Sequence, residues 1–415
     1  MNRKSALSAA AASMPANGAT HQLWLRKMML RLLRRARHGR LVVREQGMIV
    51  ATIGPKNDAL RAEVDVLNPR LYARVVLGGD TAAAEAYMDG WWSSPDLAAV
   101  TRFFARNLDM TDAWGRRFGW LFKPASLLRL GARRNSRKQA RRNIRRHYDL
   151  DVDFYRGFLD RRMQYSSAVF AQPGQALAEA QLNKLNRIGK LLELRPEDHL
   201  LEVGCGWGGL AVHAARNWGC RVTAVTNSAA QFEFVGGRIA REGLEDRIEL
   251  VNRDYRQLDG SYDKLVSVEM IEAVGRSYLG AYFRKLNELL KPGGRLMLQA
   301  ITIADQRYAA YSSGEDFIRK HVFPGGFLPS LGVIGNLMAR KTDLVMRDLR
   351  DIGLDYADTL AHWRESFLEN LEELRERGYP AEFLRLWDYY FAYCEGGFRE
   401  RRISAVQLLA SKALC

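Results

Sequence analysis

The chain has 415 residues, long enough for two domains, and its 47% hydrophobic content permits a sizeable buried core. Lys and Arg number 63 against 47 Asp and Glu, and the resulting charge of +16 points to a polyanionic partner, either nucleic acid or an anionic membrane surface. Cys205, Cys220, Cys394 and Cys415 show no CxxC or metal-ligand spacing, which argues for free thiols in a reducing cytoplasm, and no apolar stretch reaches the roughly 18–20 residues that span a bilayer.

Residues 1–20 form a small-residue tail without the sustained apolar core of a signal peptide, and disorder is expected there. From Leu23 to His38 an arginine-rich stretch carries Leu25, Met28, Met29, Leu32 and Leu33, with Gly39 as its stop. Two readings stay open: an amphipathic helix on a membrane, or a helix packed on its own domain. Leu41–Arg44 and Met48–Ile53 read as strands joined by a Gln46-Gly47 hairpin turn. Thr81–Met88 reads as a helix ended by Asp89-Gly90, and Trp91 and Trp92 after it are packing residues.

Between Trp114 and His147 the chain carries Arg116, Arg117, Lys123, Arg129, Arg133, Arg134, Arg137, Lys138, Arg141, Arg142, Arg145 and Arg146 after its start, with aromatic residues interleaved early and no acid after Trp114. A charge run is usually a solvated face. Its length and adjoining aromatics favour an anionic membrane surface here. No base-stacking or groove-reading motif accompanies the charge, so nucleic acid is not expected. The expected division is 21–112 for an N-terminal domain, 113–147 for a basic linker and 148–415 for a catalytic domain.

From residue 148 strand-like and helix-like segments alternate, the pattern of a parallel sheet covered by helices. Leu200–Val203, Arg221–Thr226, Ile248–Val251, Lys264–Val268 and Leu296–Ile301 read as strands, with Ala230–Glu242 and Tyr278–Leu290 as helices between them. The strongest local signal is Leu200-Leu201-Glu202-Val203-Gly204-Cys205-Gly206-Trp207-Gly208-Gly209, an apolar strand running into a glycine-dense turn. Glycines there let a ligand approach the backbone closely. The spacing GxGxGG, with an acid two residues before the first glycine, resembles the first motif of class I methyltransferases, which bind S-adenosylmethionine. The second strand ends in Thr226-Asn227-Ser228, with Gln231 one turn later, so the ribose hydroxyls would meet neutral partners instead of the common acid. Asp254 and Tyr255 follow the third strand, where the adenine edge would lie. Each polar residue alone could equally be a cap or turn residue.

Beyond these local signals the sequence resembles the cyclopropane-fatty-acyl-phospholipid synthases, relatives of the mycolic acid cyclopropane synthases, from about residue 60 to 412. The resemblance is carried by Glu85–Trp92, His147–Leu150, Asp153–Tyr155, Met163–Ala168, Val203–Gly209, Val225–Ser228, Val268–Gly275, Phe317–Gly326 and Gly396–Arg399. It implies an α/β class I methyltransferase with a Rossmann-like doubly wound sheet and a smaller N-terminal lipid-docking domain. It further implies a cytoplasmic enzyme, peripheral to the inner face of the membrane, that acts on unsaturated acyl chains of anionic phospholipid; a homodimer stays open.

What the resemblance implies for the site is specific. Tyr165, Ser166, Glu202, Gly204, Gly206, Gly208, Thr226, Ser228, Gln231, Asp254 and Tyr255 would bind S-adenosylmethionine. Glu272, Tyr356 and the backbone of Ile301 match a set that holds a bicarbonate ion as the base. Ser167 stands where that set usually has cysteine, Gln299 where it has histidine, and Ala273 replaces the histidine after Glu272. Ser167 and Gln299 retain hydrogen-bond donors for an anion but no imidazole. Attack of a double bond on the sulfonium methyl leaves a cation on the acyl chain, which needs a dry pocket and a fixed carboxylate. Proton loss from the new methyl closes a cyclopropane; loss from a neighbouring carbon leaves a methyl- or methylene-branched chain. The resemblance favours the ring, and the three departures keep the branched product open. A methyltransferase for a soluble amine, and a membrane-binding protein with a decayed site, are the other readings.

Overall fold

The computed structural model describes residues 16–110, 151–314 and 316–414. The basic stretch Trp114–His147, the motif His147–Leu150, the first part of the tail and Cys415 lie outside the described residues. The rest falls into two units, one of 16–110 with Ala381–Tyr389 and the other of 151–380 with residues 390–414.

In the smaller unit β1 (Arg40–Glu45) and β2 (Met48–Ile53) form the expected antiparallel hairpin. Gln46 and Gly47 supply the positive φ angles, 49° and 79°, that a two-residue hairpin turn demands. The sheet continues through β3 (Arg61–Val66), parallel to β1, and the short β4 (Trp92–Ser93). The arginine-rich helix runs over Ala16–Leu33 and buries Leu25, Leu30 and Leu33, while Arg26 pairs with Glu45 at 2.6 Å. The helix is therefore packed on its own unit. It also stops five residues short of His38, because the Asn107 amide accepts hydrogen bonds from the backbone N–H groups of Arg37 and His38 and donates to the His38 carbonyl. Thr81–Met88 is the end of a longer helix, Arg70–Met88, broken at Gly79, whose φ of 66° no helix accommodates. Trp92 packs as expected: its indole donates to the Ala83 carbonyl, and its ring meets Tyr87 edge-on. Within the same unit Arg385 donates to the carbonyls of Tyr87 and Trp92, and Tyr87 donates to Asp388.

The larger unit holds a seven-stranded sheet in the order β10-β11-β9-β8-β5-β6-β7. Its strands are β5 (His199–Val203), β6 (Arg221–Thr226), β7 (Ile248–Asn252), β8 (Tyr262–Val268), β9 (Leu290–Ile303), β10 (Leu344–Asp351) and β11 (Ile403–Lys412). Pairing is parallel from β7 to β9, and β11 runs antiparallel to both β9 and β10. Neighbouring residues on the central strands enter opposite cores: Leu201, Leu265 and Leu296 pack on one side, Leu200, Val266 and Met297 on the other. Burial on both faces explains why these strands read as unbroken apolar runs. Ligand sites in such sheets form beyond the carboxyl ends of the strands where the connections diverge, which here is beside β5. Among the described residues no helix is long and apolar enough to cross a membrane, and no group of three or more His, Cys, Asp or Glu residues could hold a metal ion.

Candidate active site

The carboxyl ends of β5, β6 and β8 open on a cleft lined by, among others, Tyr165, Ser166, Glu202, Gly204, Gly206, Thr226, Ser228, Gln231, Asp254, Tyr255 and Glu269. Eleven residues were expected at the cofactor, and ten of them line this cleft; Gly208 lies just behind it, turning the chain into the helix Gly209–Trp218 at φ 77°. Gly204 takes φ 86°, and a Cβ there would lie 2.8 Å from Met270. Gly206 takes φ 53°, and its Cβ position faces open space.

The polar groups are set for an adenosyl-amino acid. Glu202 is buried and accepts a backbone hydrogen bond from Ala211, while its Oε2 has no partner among the described residues. Burial pushes its carboxyl up to about 8. Such an oxygen suits an ammonium group. Thr226 donates to Gln231 Oε1 at 2.7 Å, which leaves the Gln231 amide N–H groups for a ligand, and Ser228 caps the helix Ala229–Glu242 by accepting from Gln231 N. Asp254 is paired with the Arg256 guanidinium at 2.5 Å, and the Tyr255 ring packs edge-on against Tyr282. Ser166 Oγ accepts from Lys184 Nζ at 2.7 Å, and Tyr165 shares a hydroxyl contact with Tyr390 at 3.2 Å. Glycine cradle, orphaned carboxylate and neutral ribose partners together fit S-adenosylmethionine, which would supply an electrophilic methyl group.

Beside this cleft three of the five expected catalytic residues, Ser167, Gln299 and Tyr356, converge on a group not among those expected, while the other two, Glu272 and Ile301, bond to each other. Glu269 sits at φ 50°, a left-handed conformation uncommon for any residue with a side chain. Its Oε1 accepts from Ser167 N at 2.9 Å and from Gln299 Nε2 at 2.8 Å, and its Oε2 accepts from the Tyr356 hydroxyl at 2.7 Å. Glu272 Oε1 accepts from Ile301 N at 2.5 Å, and Glu272 Oε2 has no partner among the described residues. Burial pushes the Glu272 carboxyl up to about 8, and the charge of Glu269 adds to that.

Two expectations are corrected by this geometry. Ser167 offers its backbone N–H and not its hydroxyl, which is turned onto the Ala168 carbonyl at 3.0 Å in a fully buried position. The other donors expected to hold bicarbonate are already engaged by protein carboxylates, Gln299 Nε2 and Tyr356 OH by Glu269 and Ile301 N by Glu272, and Glu269 takes the Ser167 backbone N–H as well. The residues present do not fit that ion. Glu269 itself lay in full view inside Val268–Gly275, yet nothing local distinguishes it from a helix-capping acid. Its partners are 102 residues before it, 30 after it and 87 after it.

Residues 135–408 match the family described as mycolic acid cyclopropane synthetase. The chain is 39% identical over 344 residues to the tuberculostearic acid methyltransferase UfaA1 of Mycobacterium tuberculosis, covering 81% of this chain and 80% of that one. It is 34% identical over 362 residues to the cyclopropane-fatty-acyl-phospholipid synthase of Escherichia coli, covering 86% and 90%. Among solved structures it is similar to the cyclopropane synthase MmaA2 of Mycobacterium tuberculosis, with a TM-score of 0.62 at 26% identity over 66% of this chain and 98% of that one. It is also similar to the mycolic acid cyclopropane synthase CmaA1 solved with S-adenosylhomocysteine, with a TM-score of 0.61 at 27% identity and the same coverage.

Proposed function

The chain belongs to the mycolic acid cyclopropane synthetase family, and on that premise we propose that it alkylates the double bond of an unsaturated fatty acyl chain carried by a membrane phospholipid. It is an S-adenosylmethionine-dependent methyltransferase of the cyclopropane-fatty-acyl synthase type that acts on lipid acyl chains. The observation that carries the finer reading is the pair of half-buried carboxylates, Glu269 and Glu272, set beside the cofactor cleft with Tyr165, Tyr356 and Tyr390 close by. An alkene is a poor nucleophile, and its alkylation places a full positive charge on the acyl chain. Tyrosine faces and a fixed carboxylate stabilise that charge, and exclusion of water keeps it from being quenched as an alcohol.

Ring closure to a cyclopropane is the outcome that membership of the family supports. A second reading, a methyl- or methylene-branched chain, is favoured by one specific feature: Ser167, Ala273 and Gln299 depart together from the expected anion set. The 39% identical relative is named a methyltransferase, not a cyclopropane synthase. The deciding experiment incubates the protein with labelled S-adenosylmethionine and vesicles of unsaturated phospholipid, followed by mass spectrometry of the acyl chains. A gain of one CH2 unit is expected. Mild hydrogenation leaves a ring unchanged and adds two hydrogens to a branched alkene. Label in soluble amines with none in lipid would sink the proposal.

Docking is proposed to rest on the basic segment 113–147 and an anionic vesicle surface. Neutralising Arg141, Arg142, Arg145 and Arg146 should weaken binding to anionic vesicles, and wild-type binding should fall as salt screens the attraction. Binding that ignores salt would rule the electrostatic contact out.

A further inference from the structure

We propose that Glu269 is this enzyme's own base and counter-ion, a protein carboxylate occupying the place of a diffusible anion, so that the reaction needs no bicarbonate. The inference rests on the acyl-alkylation reading above.

The geometry argues for it in three steps. First, Glu269 is surrounded as a bound anion would be: a backbone N–H from Ser167, an amide N–H from Gln299 and a phenol O–H from Tyr356 all point at its two oxygens. A carboxylate has about four acceptor positions. Three are used, two on Oε1 and one on Oε2, and the remaining one is on Oε2. Second, the residue lines the cofactor cleft together with Gly204 and Met270. Third, its backbone is held at φ 50° by a hydrogen bond from its own N–H to the Gln299 carbonyl at 2.8 Å. Glycine would adopt that conformation at no steric cost, and a side chain there carries strain. Strain of this kind at a cleft marks a side chain placed for use.

The two carboxylates divide the work. Burial raises the carboxyl of Glu269 as well, but its three donors and the Lys184 charge oppose that shift, and on this balance Glu269 is the one that stays ionised. Glu272, with one donor, an unpartnered oxygen and a charged neighbour, keeps its proton at neutral pH. Lys184, fully buried on Ser166 Oγ, adds a positive charge that favours ionised Glu269. A C–C bond forms as the S–CH3 bond breaks, leaving a neutral thioether and a carbocation on the hydrocarbon chain of the acyl group. Glu269 then takes one proton: from the new methyl group, whose C–H electron pair closes the ring onto the cationic carbon, or from a carbon next to the cationic centre, whose C–H pair forms the alkene. The resulting carboxylic acid returns its proton to water between turnovers.

The experiment uses the full-length protein in buffer purged of carbon dioxide, with unsaturated phospholipid vesicles and labelled S-adenosylmethionine. Wild type should run at the same rate with and without added bicarbonate. Glu269→Gly removes the base and relieves the positive φ, so it should fold, bind S-adenosylmethionine normally and turn over at least ~100-fold more slowly. Added bicarbonate or formate should then restore a large part of the rate. Calorimetric titration with bicarbonate supplies a readout independent of turnover: no binding to wild type, and binding to Glu269→Gly. Loss of wild-type activity on purging, with recovery on adding bicarbonate, would overturn the proposal. So would a Glu269→Gly variant that neither slows nor binds the anion. If wild type labels no lipid at all, the acyl-alkylation reading has failed, and the calorimetric comparison still reports whether Glu269 fills the anion position.

Discussion

Gln407 on β11 lies directly opposite Gln299 on β9 in the antiparallel register, and its Nε2 donates to Gln299 Oε1 at 3.0 Å. The pairing fixes which way both amides face. Arg187 Nε donates to Gln407 Oε1 at 2.8 Å, so Gln407 must turn its N–H groups to Gln299, and Gln299 must in turn aim its own N–H at Glu269. An orientation set at the surface end of this chain of amides thereby reaches the carboxylate. Gln407→Leu should lower kcat by about tenfold, the scale of one lost hydrogen bond in a buried network. Affinity for S-adenosylmethionine should be unchanged, since Gln407 is not in the cleft lining. Gln407→Glu, which offers Gln299 only acceptors, should be worse. Steady-state kinetics with calorimetry checks both, and unchanged kcat in Gln407→Leu would show that the amide orientation does not matter.

Raised carboxyl pKa values have a sign that stability measurements can read. Burial pushes both Glu202 and Glu272 from 4.5 to about 8. A group whose folded pKa is raised contributes stability that is complete below its unfolded pKa and is lost as pH rises through the folded one. The ligand-free protein should therefore lose stability progressively from about pH 4.5 to above pH 8. Glu272→Gln should flatten that slope, and because it mimics a protonated acid it should keep far more activity than Glu269→Gln. Denaturant unfolding across the pH range, with rates for both variants, is the check. Equal loss of activity in the two would show that the carboxylates are not divided as proposed.

The central strands were legible because they are buried on both faces and read as apolar runs; β6 was bounded to the residue, Arg221–Thr226. The strands missed in the larger unit are β10 and β11, at the antiparallel end of the sheet. β10 exposes seven of its eight residues, and Leu344-Val345-Met346-Arg347-Asp348-Leu349-Arg350-Asp351 shows no alternation to mark it. Glycines and capping residues of the cofactor cleft were legible for a different reason, since a strand–turn–helix is local. Glu269 was not, because its meaning comes from Ser167, Gln299 and Tyr356, which only the folded chain brings together. Gln407 lay further out of reach, set by the register of β11 on β9.

Cofactor binding should depend on pH through Glu202. Glu202 lines the cleft, its Oε2 has no partner among the described residues, and burial pushes its carboxyl up to about 8. Binding an ammonium group favours the ionised form, so a proton must leave at neutral pH. Affinity for S-adenosylmethionine should rise as pH increases toward 8, and calorimetry in buffers of different ionisation enthalpy should detect proton release. Glu202→Gln should bind more weakly and release none. Affinity independent of pH in the wild type would place the ammonium group elsewhere.

Two glycines of the same turn should fail in different ways. At Gly204 a Cβ would lie 2.8 Å from the Met270 side chain at a φ of 86°, so Gly204→Ala must displace Met270 and hold a strained backbone together. That substitution should cost at least ~1–2 kcal/mol of stability. It should weaken cofactor binding as a consequence of the displaced turn. At Gly206 nothing lies within 4 Å of the Cβ position, and φ is 53°, close to the left-handed minimum. Gly206→Ala should therefore cost little more than the left-handed penalty itself. The added methyl, however, enters space that belongs to the ligand, so its affinity for S-adenosylmethionine should fall out of proportion to its stability. Denaturant melts paired with binding isotherms separate the two. If Gly206→Ala bound the cofactor as wild type does, the ligand would not approach the backbone at this turn, and the reading of the glycine cradle would have to be given up.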